Sequence, residues 1–152
     1  MLKKTIKYKD YDGVERVEDF YFNLNETEVI KLEMSKQGGI DKYINRIIRE
    51  SDMSKIIDLF DEIIKLAYGE KSADGRRFIK NQEVYDNFRY SPAYNEVFME
   101  LVGDEKKQVE FINGVVSPEL KMRLDELKKN PEKMKEVEAR INANGGSLAM
   151  GM

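Results

Sequence analysis

IDKYINRIIRESDMSKIIDLFDEIIKLA, residues 40–67, is the stretch that decides the fold. Its apolar side chains recur three and four positions apart, which places them on one side of an α-helix. The repeat is interrupted at Ser51-Asp52, where either side chain can cap a new helix. The stretch therefore predicts two successive amphipathic helices, and two such helices indicate a packed helical core. Their apolar positions are Ile40, Tyr43, Ile44, Ile47 and Ile48, then Ile56, Ile57, Phe60, Ile63, Ile64 and Ala67.

The N-terminal residues have the pattern of a β-hairpin. Residues 2–9 and 14–22 are rich in β-branched and aromatic types, and the Asp12-Gly13 pair between them suits a tight turn. A lone hairpin is only marginally stable, so its apolar side is predicted to pack on helices. That side is predicted to carry Ile6, Tyr8, Phe20 and Phe22.

More helices are predicted before and after residues 40–67. Asn25, with an acidic residue three positions on, resembles a capping box, so a helix is predicted over about residues 26–37. The apolar period vanishes over residues 69–77, which predicts an exposed loop. Helical spacing then returns, with a corner at Ser91-Pro92 where Ser can cap and Pro can take the first helical position. The fold class is thus mainly α, a β-hairpin packed on a bundle of about five helices.

The C-terminal part differs in composition from the rest. Beyond Ser117-Pro118 charges dominate, and a thin apolar seam predicts two weakly anchored helices broken at Asn130-Pro131. The end of the chain is polar and rich in glycine, which is typical of a disordered tail. We therefore predict a hairpin and helical core domain at residues 1–117, a charged helical extension at 118–142 and a disordered tail at 143–152.

Composition narrows the possible functions. The chain has no Cys and no His, which removes thiolate chemistry and the commonest acid, base and metal ligand near neutral pH. A formal net charge of -3 disfavours nucleic acid as a partner. No export signal and no long apolar run is present, so the sequence predicts no membrane partner and a cytoplasmic location. We expect no enzyme activity, no cofactor and no metal.

Two short motifs resemble ligand sites but are better explained by backbone conformation. Asp10-Tyr11-Asp12-Gly13 begins like a calcium loop but lacks the later ligands and the closing Glu, so a hairpin turn is predicted. Gly38-Gly39 lacks the strand before it and the Gly-Lys-Ser/Thr after it that a phosphate loop needs, so a helix stop is predicted. A helix-turn-helix at residues 40–67 is disfavoured because acidic and basic residues are mixed there.

Two places are candidates for binding another protein. Arg76 and Arg77, beside Asp74, have the chemistry to bind an acidic partner, although paired arginines on a loop are more often simply solvated. Tyr90 and Tyr94 flank the Ser-Pro corner, and a half-exposed tyrosine offers a large contact area with few rotatable bonds. Phe88 and Phe98 lie on apolar stripes and are predicted to belong to the core.

A longer pattern resembles one protein family. It comprises the block Tyr68-Gly69-Glu70-Lys71-Ser72-Ala73-Asp74-Gly75-Arg76-Arg77-Phe78-Ile79-Lys80, then Tyr94, Phe98-Met99-Glu100-Leu101 and Phe111-Ile112-Asn113-Gly114, preceded by Tyr21-Phe22-Asn23-Leu24, Glu33-Met34-Ser35 and Gly38-Gly39. In order and spacing it is similar to the tail assembly chaperones of long-tailed, siphophage-type bacteriophages, over about residues 20–118.

The resemblance implies a non-catalytic phage protein that works in the cytoplasm of the infected host cell and is absent from the mature virion. Such chaperones bind the tape measure protein, a very long helical chain that otherwise aggregates, and promote assembly of the tail tube around it. The implied partners are the tape measure protein and the major tail tube protein, and self-association is left open. The alternative class is a structural tail or head-completion protein that stays in the virion.

Overall fold

The fold is a four-stranded antiparallel sheet with eight helices, seen in a computed structural model that describes residues 1–143. The mainly α fold class, with an N-terminal hairpin packed on helices, is confirmed. None of the helices in this described part is long and apolar enough to cross a membrane. The strands are β1 Leu2–Lys9, β2 Glu15–Phe22, β3 Tyr68–Lys71 and β4 Phe78–Ile79. The helices are α1 Glu26–Ser35, α2 Ile40–Arg49, α3 Met53–Ala67, α4 Gln82–Arg89, α5 Pro92–Gly103, α6 Glu105–Val115, α7 Pro118–Lys129 and α8 Pro131–Ala143.

The chain forms two compact units, each built from two separate stretches of sequence. Unit 1 comprises residues 1–23 and 57–115, and unit 2 comprises residues 24–56 and those after 115. Both units therefore combine early and late parts of the chain. The division into residues 1–117, 118–142 and 143–152 stays a prediction.

The N-terminal hairpin of unit 1 forms as predicted. Asp10 holds its turn, because one carboxylate oxygen accepts the backbone N–H of Asp12 and of Val14, each at 2.9 Å. Gly13 has φ +80°, the left-handed conformation that favours glycine. The pairing places Leu2 opposite Phe22, so the predicted apolar side is formed and Phe22 is fully buried. Helices α5 and α6 pack against β1.

The prediction of a loop over residues 69–77 is wrong for its first three residues, because they belong to β3. Strands β3 and β4 form a second hairpin that extends the sheet. Tyr68 pairs with Phe22, and β4 then pairs with β3. Gly69 is required at this point, since a Cβ there would lie 2.7 Å from the Phe78 ring and 2.9 Å from the Ile79 carbonyl oxygen. Strands of four and two residues are too short to show an alternating apolar pattern, which is why the sequence indicated only a loop.

Aromatic rings fill the core of unit 1. Phe88 is at its centre, with its ring centroid 4.3 Å from that of Tyr68, 5.1 Å from that of Phe20 and 5.8 Å from that of Phe22. The Phe22 ring also meets Phe111 edge-on at 5.4 Å. The prediction that Phe88 belongs to the core is confirmed. Phe98, on α5, is half-buried, and its ring stacks on the buried ring of Tyr94.

Unit 2 is organised by helix caps. The predicted capping box is present, because Asn25 accepts the Glu28 N–H and the Glu28 side chain accepts the Asn25 N–H. Glu33 of α1 is buried, and its carboxylate accepts the Ile40 N–H at 3.1 Å, where α2 begins. A negative charge at this end of a helix is favourable. Lys128 of α7 completes the arrangement with its Nζ 2.8 Å from the same carboxylate.

The C-terminal helices begin where the sequence predicts. Ser117 caps α7 by accepting the Leu120 N–H, and Asn130 caps α8 by accepting the Lys133 N–H. Leu120 is buried, whereas α8, described over its whole length to Ala143, has no buried residue. The predicted weak anchoring is therefore present in α8. Of the predicted tail, residues 143–152, Ala143 belongs to α8, and residues 144–152 lie outside the described residues.

Candidate protein-binding surfaces

The corner between α4 and α5 forms one wall of an open groove of about 450 Å³ in unit 1, which we call the tyrosine groove. Tyr90 is 72% exposed and Tyr11, from the hairpin turn, is 85% exposed. Two exposed rings thus contribute to the lining of one groove. The other lining residues are Ile57, Asp61, Arg89, Ser91, Pro92, Tyr94, Asn95 and Phe98.

Tyr94 lies in the same groove as Tyr90 but is buried, with 6% of its surface exposed. Its hydroxyl donates a hydrogen bond to the Asp61 carboxylate. Its ring stacks on Phe98 at 5.8 Å, and the Arg89 guanidinium lies 4.4 Å from the ring centroid. Burial, followed by the hydrogen bond from the hydroxyl to Asp61, raises the pKa of Tyr94 well above its ordinary value. Tyr94 therefore belongs to the floor of the groove, while Tyr90 offers the accessible ring.

Ser91 stands at the N-cap of α5 and Pro92 at its first position, as the sequence predicts. The Ser91 hydroxyl does not cap α5, however, but donates to the Phe88 carbonyl oxygen at 2.7 Å. The hydroxyl therefore closes the end of α4. This fixes the corner that presents Tyr90.

Arg76 and Arg77 are exposed in the turn between β3 and β4. Asp74 organises this turn, because its carboxylate accepts the Ser72 hydroxyl at 2.7 Å and the Arg76 N–H at 3.0 Å. These hydrogen bonds lower the pKa of Asp74. The Arg76 Nε lies 4.0 Å from the same carboxylate, an exposed pair with a small energetic effect. Neither arginine lines the tyrosine groove, so the structure brings the two tyrosines together but not the tyrosines with the arginines.

Unit 2 contains a groove of about 440 Å³ that was not predicted from the sequence, and we call it the C-terminal groove. Residues of α1, α7 and α8 line it, with apolar side chains and a charged rim. The seam of apolar residues in α7 and α8 was the signal available in the sequence, but it did not show that α1 faces the same space. The lining residues are Glu26, Thr27, Ile30, Arg123, Glu126, Leu127, Asn130, Lys133, Val137, Arg140 and Ile141.

A further groove of about 470 Å³ in unit 2 adjoins the Glu33–Lys128 pair, and we call it the Met134 groove. Met34 of α1 and Met134 of α8 supply apolar surface there. Methionine side chains are flexible and polarisable, so they fit irregular apolar partners. Among the described residues, no group of three or more acidic side chains is arranged to hold a metal ion.

Residues 1–149 match the model of a protein family described as phage tail assembly chaperone. The chain belongs to this family. The resemblance noted from the sequence is thereby confirmed. The chaperone shows no significant similarity to any curated protein or to any solved structure with which it was compared.

The family match extends beyond the stretch that carries the resemblance in the sequence. It includes the hairpin turn, with Tyr11, and nearly all of the charged C-terminal part. All three grooves of the chaperone therefore lie within the matched residues. The binding roles assigned to Arg76, Arg77, Tyr90 and Tyr94 stay predictions.

Proposed function

We propose that the protein binds the tape measure protein of its phage without catalysis and promotes assembly of the tail tube around it. The observation that carries the proposal is the family match over residues 1–149. The major tail tube protein is the second proposed partner. The proposed place of action is the host cytoplasm during infection, where the chain acts before the mature virion is complete.

The surfaces described above support this proposal because they fit helical ligands. A tape measure chain is a long series of amphipathic helices, and an amphipathic helix binds by laying its apolar side into a groove. The C-terminal groove has apolar residues such as Ile30 and Leu127 between charged side chains. An apolar floor with a charged rim lets such a ligand be held and later released to the tube.

Co-expression with the tape measure protein of the same phage tests the proposal. We expect the tape measure protein to be soluble and to co-purify with the chain, and to be largely insoluble without it. Failure of the chain both to keep it soluble and to co-purify with it contradicts the proposal.

The tyrosine groove is tested in the same assay with Tyr90→Ala. Removal of an exposed contact ring is expected to reduce recovery of the complex, with a loss of about 1–2 kcal/mol in binding. Met122→Ala is the matched control, because Met122 is 67% exposed and lines none of the three grooves. Equal recovery of the complex with both variants contradicts a binding role for Tyr90.

Quantitative mass spectrometry of purified virions distinguishes the chaperone from the alternative, a structural tail or head-completion protein. We expect the chain to be abundant in infected cells and absent from the particles. A fixed, stoichiometric amount in the particles favours the structural protein.

A further inference from the structure

Helix α8 contributes no buried residue to unit 2, whereas α1, α2 and α7 each contribute at least one. It packs against α7, yet none of its residues, all of which are described, is buried. Its half-buried apolar residues are Met134, Val137 and Ile141, spaced i, i+3 and i+7 on one side of the helix. This is the pattern of a helix that binds in a groove, here with incomplete burial.

Open space adjoins the apolar side of α8 in two places. Val137 and Ile141 line the C-terminal groove, and Met134 lines the Met134 groove. Apolar side chains that border open space lose part of the contact energy that close packing supplies. Helix α8 is therefore poorly matched to the surface beneath it.

Helix α7, in contrast, is joined to α1 by two ion pairs. Lys128 pairs with the buried Glu33 at 2.8 Å, and the more exposed Arg123 pairs with Glu26 at 3.2 Å. Leu120 adds a buried side chain near the start of α7. Neither ion pair involves α8, so both remain when α8 leaves.

The charges around the C-terminal groove are complementary. Lys133 and Arg140 of α8 share the groove with Glu26 of α1 and Glu126 of α7. Opposite charges across a groove favour docking of a basic helix and fix its orientation more than they add affinity. Arg123 of α7 also lines the groove and pairs with Glu26 at 3.2 Å, so the α1–α7 side carries two acidic residues and one basic residue. This surface is suited to a helix that presents an apolar stripe and basic residues to the groove.

We infer that α8 occupies in cis a helix-binding site formed by α1 and α7, and that an amphipathic helix of the tape measure protein displaces it. The inference rests on the proposed function and assigns a site to it. The connection at Asn130-Pro131 provides the hinge, because proline cannot donate the backbone hydrogen bond that would continue α7 into α8. Occupation by α8 keeps the apolar surface covered until the tape measure protein arrives.

This arrangement makes a prediction that an ordinary binding surface does not make. If α8 covers the site about nine-tenths of the time, releasing α8 strengthens binding of the tape measure protein about tenfold. If α8 is itself part of the binding surface, damage to α8 weakens binding instead. Whether binding becomes tighter or weaker therefore distinguishes α8 as a cover of the site from α8 as part of the site.

The test measures binding of the full chain to the tape measure protein of the same phage, produced as a soluble fusion. Val137→Asp with Ile141→Asp places charge on the apolar side of α8, and Lys133→Glu replaces a cation by an anion in a groove that Glu26 and Glu126 also line. Lys135→Glu is the matched control, since Lys135 is exposed, lies on the same helix and lines none of the three grooves. Circular dichroism and thermal unfolding establish that each variant is folded.

Binding about tenfold tighter for the double variant, several-fold tighter for Lys133→Glu and unchanged for Lys135→Glu supports the inference. In hydrogen exchange on the wild-type chain, partner binding is expected to protect α1 and α7 and to deprotect α8. Weaker or unchanged binding by both α8 variants, or protection of α8 in the complex, overturns the inference and leaves the proposed function intact. Absence of binding by the wild-type chain and by all variants overturns both.

Discussion

The two units are stabilised in different ways. The core of unit 1 consists of interlocked rings, with Phe88 in contact with rings from β2, β3 and α5. Unit 2 buries aliphatic side chains such as Leu32 and Ile47, and its helices are also joined by caps and ion pairs, such as the Glu33 carboxylate that binds both α2 and α7. Dispersion among buried rings is strong and insensitive to solution conditions, whereas paired charges depend on geometry, pH and salt. The opening of α8 that we infer above therefore costs less in unit 2 than the opening of a helix from the ring-filled core of unit 1 would.

This contrast indicates that local stability is lower at α8 than in the core of unit 1. Regions with few buried apolar contacts open at a lower free energy than the core, and partner-binding elements are drawn from such regions. Helix α8 has no buried residue over its whole described length, while α5 has four.

Phe88→Ala is expected to have the largest effect. It removes a ring that is 1% exposed and leaves a cavity among four others, so the free energy of unfolding should fall by about 3–5 kcal/mol. Urea unfolding followed by circular dichroism measures the change. Tyr90→Ala, at the 72% exposed position two residues on, should change it by less than about 0.5 kcal/mol. A similar loss for both variants contradicts the ring-based core.

Gly69→Ala tests the sheet extension in unit 1. A Cβ at Gly69 meets the Phe78 ring at 2.7 Å and the Ile79 backbone oxygen at 2.9 Å, and the backbone cannot move aside cheaply. We expect a loss of about 1–3 kcal/mol in thermal or urea unfolding. Gly103→Ala is the matched control, because a Cβ at Gly103 would meet nothing within 4 Å. Alanine favours a helix over glycine by about 0.5–1 kcal/mol, so this variant should be more stable and not less stable. Equal effects at the two glycines rule out the second hairpin.

Glu33→Gln tests the charged junction of unit 2. The amide oxygen of glutamine still accepts the Ile40 N–H, but the negative charge that holds Lys128 is lost. The free energy of unfolding should therefore fall by about 1–2 kcal/mol. Glu26→Gln is the control, because its pair with Arg123 is exposed and should contribute less than about 0.5 kcal/mol. A double-mutant cycle of Glu33→Gln with Lys128→Met isolates the coupling. A coupling near zero means that this junction does not hold α7.

The same pair has a predictable response to alkaline pH. Burial lowers the pKa of Lys128, but the hydrogen bond and the charge of Glu33 outweigh it, so the pKa is raised above its ordinary 10.5. A raised pKa in the folded state contributes stability below the unfolded value, and this is lost as pH rises through the folded value. The double-mutant coupling should therefore persist at neutral pH and shrink above about pH 10.5. A coupling that does not change over this range contradicts the assignment.

Tyr68 allows a second test at alkaline pH, this time in unit 1, and its expected effect is the smallest. Burial, followed by the charges of Glu70 and Glu18, raises its pKa from 10.0 to about 12. The folded state therefore keeps its proton where the unfolded state has lost it, and stability falls as pH rises between these two values. Tyr68→Phe should lose less stability than the wild-type chain between about pH 8 and about pH 11 in urea unfolding. Parallel losses in the two proteins contradict a buried neutral hydroxyl.

Helix ends and the first hairpin were predictable because their signals are local. The Asn25 cap, the Asp12-Gly13 turn and the break at Asn130-Pro131 each depend on a few adjacent residues. The second hairpin was not predictable, because two short strands carry no periodic pattern and become a sheet edge only through pairing with β2. Local chemistry thus determines where elements begin and end, and distant pairing determines what they join.

The candidate surfaces were only partly predictable for the same reason. Tyr90 and Tyr94 stand four residues apart on either side of a corner, yet one is exposed and the other is buried. The difference comes from Asp61 and Phe88, which reach Tyr94 from elsewhere in unit 1. The C-terminal groove was missed because α1 and α8 are about a hundred residues apart in sequence.

The order of strands has a consequence for how the chaperone handles its client. β1 lies at an edge of the sheet, and an open edge can recruit another chain by strand addition, which is how many proteins begin to aggregate. Lys3, Lys7 and Lys9 are exposed along this edge, and lysines there repel an incoming strand. The exposed lysines thereby protect this edge strand against the addition of a strand from another chain.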